Sequence, residues 1–117
     1  MKRKGGLYTI TVWGVGTYYG ESKDILRRWA MHRKKLYSKR HHCVRLQASF
    51  NEYGMGVFEF KILAQSELLE RSVAARTALE QHYINQDINC LNTKGNDSAI
   101  TATHMPPNPI YRNKVLR

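Results

Sequence analysis

Only two of the 117 residues are cysteine, and one pair of thiols does not make a disulfide framework. Neither lies in a Cys-x-x-Cys pair and no His-Glu-x-x-His stretch occurs, so zinc chemistry has little support. His41, His42 and Cys43 are adjacent, a spacing that rarely turns three side chains onto one ion. No glycine-rich phosphate loop leads into a helix, and no Gly-x-Ser-x-Gly elbow occurs. No apolar run reaches the roughly 18 residues of a membrane span. The basic start "MKRKGG" is followed by "LYTITVWGVG", which threonine and glycine interrupt too often for a signal peptide. Nothing repeats internally. The expected setting is a reducing cytosol and a single small domain, with 42% hydrophobic residues to supply one core.

Acidic residues are scarce where basic ones are dense. Residues 1–45 hold twelve lysines and arginines but only Glu21 and Asp24 as acids, whereas residues 46–117 hold seven of each. The whole net charge of +10 therefore sits on the first strands and the first helix. A concentrated positive face attracts a polyanion, and nucleic acid is the favoured partner over an anionic membrane. The basic helix lacks the wide apolar face that membrane insertion needs.

Residues 7–12 alternate and are β-branched, which predicts a strand. "WGVG" (13–16) is a turn and "TYYG" (17–20) a second strand, so 7–20 is read as a hairpin. Ser22 is the expected N-cap of a helix over 23–37, with Ile25, Trp29, His32 and Leu36 as its inward stripe. "SKRHH" (38–42) is a polar connection, and a shorter helix over 44–53 ends at Gly54. "VFEFKIL" (57–63) is a third strand. A long helix over 67–86 turns Leu68, Ala75, Leu79 and Tyr83 inward. Residues 93–117 are rich in Asn, Thr and Pro, without periodicity, and read as a tail or linker. The order β-β-α-α-β-α predicts an α+β fold, a small three-stranded antiparallel sheet flanked by helices.

Glu80 stands out on the last helix, at the edge of its inward face, where a carboxylate is costly unless compensated. Arg76, one turn earlier, could do so as an ion pair. A hard divalent cation could do so equally.

These stretches resemble the GIY-YIG nucleases, especially the catalytic domain of phage homing endonucleases. "GLYTI" (6–10) is similar to the first signature, with Leu7 where Ile is usual, and "YYG" (18–20) to the second, with Tyr19 where Ile or Val is usual. "SKDILRRWAMH" (22–32), "LQASFNEYG" (46–54), "FEFKIL" (58–63), "LEQHYI" (79–84) and "LN" (91–92) follow in order. The resemblance implies a nuclease domain over residues 1–92, with 93–117 outside it. Tyr8 and Tyr18 match the signature tyrosines, and Arg28 the arginine that binds the scissile phosphate. His32 matches a position that often helps the proton relay, and His41 a polar position linked to the active site. Glu80 matches the metal-binding glutamate and Asn92 a polar residue supporting the site.

The implied activity is metal-dependent DNA endonuclease. Tyr8 is the expected general base, aided by His32, with surrounding cations favouring its phenolate. Tyr18 orients water or phosphate. One divalent cation on Glu80, Mg2+ with Mn2+ as a substitute, stabilises the leaving oxygen. Trp29 reads as core. Arg27, Lys34, Lys35, Lys39, Arg40 and Arg45 are expected phosphate contacts, which position a duplex without reading its sequence. No obligate protein partner is evident, and the expected location is the cytoplasm of a bacterium or phage-infected host. The competing readings are a non-catalytic nucleic-acid-binding module with the same fold, and a nuclease acting on single-stranded DNA or RNA.

Overall fold

The computed structural model describes residues 4–92. Strand β1 (Gly6–Val12) lies between β2 (Gly16–Ser22) and β3 (Phe58–Gln65), antiparallel to both. Tyr8 faces Gly20 across β1 and β2, and Ile10 faces Tyr18. Side chains alternate along a strand, so Tyr8, Ile10, Val12 and Tyr18 share one face. Helices α1 (Ile25–Tyr37) and α2 (Val44–Tyr53) cover it, and Ile25, Leu36, Cys43, Leu46 and Leu91 complete that core. Leu7, Tyr19 and Glu21 point the other way. There Tyr19 stacks on Tyr83, ring centroids 6.0 Å apart, and Glu21 pairs with Arg76. No helix among the described residues is long and apolar enough to cross a membrane.

Three local expectations differ from the structure. The first helix begins at Ile25, and Asp24 rather than Ser22 caps it by accepting the Arg27 N–H. Ser22 is still in β2, opposite Gly6, and its hydroxyl is spent on the Asp24 backbone. The long final helix is two, α3 (Glu67–Arg71) and α4 (Val73–Gln86). The break is Ser72, whose backbone is extended and whose hydroxyl caps the Ala75 N–H at 3.0 Å. A cap at that position gives the second helix a start of its own. The kink also turns Leu68 outward, 64% exposed, and buries Leu69 instead.

The outer edge of β2 is closed by the segment after α4. Thr17 donates to the Asn89 carbonyl and accepts from Leu91, and Asn92 binds both backbone groups of Tyr19 at 2.8 Å. An unpaired edge would otherwise invite pairing with another chain. A side chain on Gly16 would overlap the Asn89 carbonyl, so the glycine lets this segment approach. The expected tail over 93–117 lies outside the described residues.

Candidate active site

The hairpin supplies two phenols and α1 presents its inward turn to them. Gly20, opposite Tyr8, is required there: a Cβ would overlap the Tyr8 ring. Freed of that obstacle, Tyr8 is 1% exposed, with its ring edge-on to Trp29 and His32. Trp29 is half-buried and also packs edge-on against Phe60, in keeping with its reading as core.

A row of polar atoms runs from Tyr8 through two histidine rings. Its Oη lies 2.6 Å from His32 Nε2, and His32 Nδ1 lies 2.6 Å from His41 Nε2. The Cys43 amide donates to His41 Nδ1 at 3.0 Å. The His41 backbone N–H donates to Gln47 Oε1, which ties the loop to α2. His32 and His41 are both buried and stack with ring centroids 4.9 Å apart. Tyr18 closes the cluster from the side, edge-on to His32 and His41.

His42, which is not among the expected site residues, also meets the cluster. Its Nε2 lies 3.3 Å from the Tyr18 Oη, and its ring stacks on His41 at 4.6 Å. The adjacency of the two histidines is visible in the sequence, but adjacency alone does not say which ring reaches Tyr18.

Arg28 is exposed on the next turn outward and lines an open hollow of about 280 Å³ with Arg27, Lys23 and Met31. Its charge reaches the buried row, drawing the Tyr8 and Tyr18 phenols down and disfavouring a proton on His32. Glu80 is 5% exposed on α4, and its charge raises both phenols. Arg76 lies one turn before it on α4. The guanidinium binds Glu21 at 2.7 Å and the Leu69 carbonyl at 2.8 Å.

Burial dominates the titration of this cluster. It pushes the Tyr8 phenol well above its ordinary value of about 10, and the pull of Arg28 is the smaller effect. The cation beside it favours the Tyr8 phenolate as expected, but burial outweighs that pull in the free protein. Burial also pushes His32 down to about 3 and His41 to about 4, with neighbouring positive charge adding to it. The unfolded chain protonates these rings near pH 6.5, so it binds protons that the native protein refuses between about 6.5 and 4. Stability consequently falls on acidification through that window, by up to about 1.4 kcal/mol per pH unit for each ring. Urea midpoints from pH 7 to 4.5 measure this, and His41→Gln should flatten the curve. A wild-type midpoint constant across that range contradicts the buried neutral pair.

Of the expected phosphate contacts, Arg27, Lys34, Lys35, Lys39 and Arg40 are exposed. Arg45 is corrected. It is 8% exposed, and its Nη1 donates to the Cys90 carbonyl at 2.9 Å. It is a strut between α2 and the closing segment rather than part of the basic face. Asn92 holds Tyr19, beside Tyr18, in the sheet.

A catalytic domain of homing endonuclease I-TevI shares this fold at a TM-score of 0.69 and 31% identity, covering 79% of this chain and 100% of that one. A glutamate-to-alanine variant of the catalytic domain of intron endonuclease I-TevI aligns at a TM-score of 0.63 and 31% identity, over 70% of this chain and 81% of that one. Fold and site thus define a domain of the endonuclease class. The profile of the GIY-YIG catalytic domain matches residues 4–92, and the chain belongs to that family. Intron-associated endonuclease 1 of Enterobacteria phage T4 is 40% identical over 63 residues, which are 53% of this chain and 25% of that protein. The chain spans about a quarter of that relative's length at the matched residues.

Proposed function

We propose that this chain is a metal-dependent DNA endonuclease that hydrolyses phosphodiester bonds in the cytoplasm of a bacterial or phage-infected cell. The observation that carries the reading is the row Tyr8–His32–His41, buried beneath an exposed Arg28 on a strongly basic face. Buried polar rows of this kind are costly unless fully paired, and a core could be built without one.

In this reading Arg28 grips the scissile phosphate with two oxygens at once. Tyr8, as phenolate, takes the proton of the attacking water while the new P–O bond forms and the bond to the 3′ oxygen breaks. Tyr18 orients the water or the phosphate. The basic side chains of 27–40 hold the backbone on either side.

Nucleases of this family generally depend on a divalent metal. The donor set here suits a hard ion: one buried carboxylate, Glu80, with no cluster of three His, Cys, Asp or Glu among the described residues that could hold a metal. Mg2+ keeps several waters and is bound through one or two carboxylates plus phosphate oxygens. Glu80 would hold Mg2+, or Mn2+ in its place, and the ion would supply Lewis-acid stabilisation of the leaving oxygen.

Plasmid relaxation tests the reading. Supercoiled DNA should be nicked or linearised with Mg2+ and left intact with EDTA. Binding without cutting under both conditions would leave a DNA-binding module, and cutting of RNA alone would move the substrate class. Binding should also weaken steeply with salt. Lys34→Gln with Lys35→Gln should lower the magnitude of the log–log slope by roughly 0.7 to 0.9 per lost contact, alike on unrelated sequences. An unchanged slope would put the DNA elsewhere.

A further inference from the structure

Every proton in the row from Cys43 to Tyr8 is assigned once one of them is fixed. The fixed one is the Cys43 amide, since a backbone N–H can only donate. It donates to His41 Nδ1 at 3.0 Å, so that nitrogen carries no proton. A histidine with a bare Nδ1 is neutral and holds its single proton on Nε2. His41 Nε2 lies 2.6 Å from His32 Nδ1 and must donate to it. His32 Nδ1 is then the bare nitrogen of the second ring, whose own proton sits on Nε2, 2.6 Å from the Tyr8 oxygen.

We infer that His32 donates its Nε2–H to Tyr8, with His41 as the positioning residue that enforces this direction. The opposite direction fails at the far end. If His32 Nε2 accepted the phenol proton, its Nδ1 proton would face His41 Nε2, and the His41 proton would move to Nδ1, against the Cys43 N–H. An imidazolium at either ring meets the same collision. Burial, which holds both rings neutral near pH 7, acts in the same sense.

The consequence rests on the nuclease reading above. Tyr8 does not pass its proton into the protein. The phenol proton goes to water rather than to a ring nitrogen, and the phenolate left behind is held by an N–H that binds the charged form more strongly than the neutral one. That bond partly offsets the burial that keeps the phenol protonated. The phenolate then takes one proton from the attacking water as the bond to phosphorus forms and the 3′ oxygen leaves.

Nitrogen NMR on protein labelled with 15N-histidine reads the direction. The proton shared by the two rings should be bonded to His41 Nε2 and coupled across the hydrogen bond to His32 Nδ1. A proton bonded to His32 Nδ1, or an imidazolium at either ring at neutral pH, overturns the inference. This measurement needs no DNA, so it stands or falls apart from the nuclease reading. Single-turnover cleavage gives the second arm. His32→Gln keeps an N–H donor but cannot take a proton, so it should cut about tenfold or more faster than His32→Ala, within the 10²–10³-fold scale of one oriented donor. Equal rates for the two variants overturn the donor role. A wild-type protein that cuts no DNA refutes the nuclease reading and leaves the assignment of the ring protons to the NMR result.

Discussion

Arg28→Lys should lower the single-turnover cleavage rate at saturating enzyme by on the order of 10²-fold or more, the scale of losing one oriented charge-stabilising donor. The neighbouring Arg27→Lys should leave that rate close to wild type. Both arginines line the same open hollow, so a merely basic surface would treat them alike. They differ in direction, because successive helical residues are rotated by about 100°. Arg28 is the arginine four residues before His32, and its charge registers at His32, Tyr8 and Tyr18. Lysine keeps the charge but loses the planar fork that holds two phosphate oxygens. Saturating enzyme removes affinity from the comparison. Equal losses for the two lysine variants would make α1 a docking surface, and the proposed site would have to be redrawn.

Glu80→Gln should reduce cleavage by on the order of 10²–10³-fold, the scale of removing preorganised charge stabilisation. Its thermal midpoint and its affinity for DNA should stay near wild type. Glutamine keeps the size and hydrogen-bonding reach of the side chain and removes only the charge that a hard cation requires. Arg76, one turn earlier on the same helix, binds Glu21 at 2.7 Å. A variant that cuts at close to the wild-type rate would exclude Glu80 as the metal ligand. One that unfolds would mark it as structural.

The hairpin, both of the first helices and the three-stranded sheet were legible in the sequence because each carries its own period. The boundaries that moved are those set by something outside the local pattern. β2 extends to Gly16 and Ser22 because β1 pairs with its full length. The split at Ser72 left the apolar spacing nearly intact, while one hydroxyl started a second helix. In the site, the types and spacing of Tyr8, Tyr18, Arg28, His32 and Glu80 carried the family resemblance. Arg45 misled because charged residues are almost never buried without a partner, and its partner is a carbonyl at the far end of the domain. The amide that orders the His41 and His32 protons could not be read at all. Every residue except proline has such a donor, and only the fold decides where it points.

The strand that carries Tyr18 makes its outer hydrogen bonds with Asn89, Leu91 and Asn92, the last of them 73 residues beyond its partner Tyr19. Contacts so distant in sequence form late, after the entropy of closing the intervening chain has been met. During synthesis the ribosome releases Tyr8, Tyr18, Arg28 and His32 long before the segment that locks their strand. A nascent chain stopped short of Asn92 therefore carries these four side chains beside an unfinished sheet edge. The sheet edge beside Tyr18 is thus completed only by the last residues of the described domain.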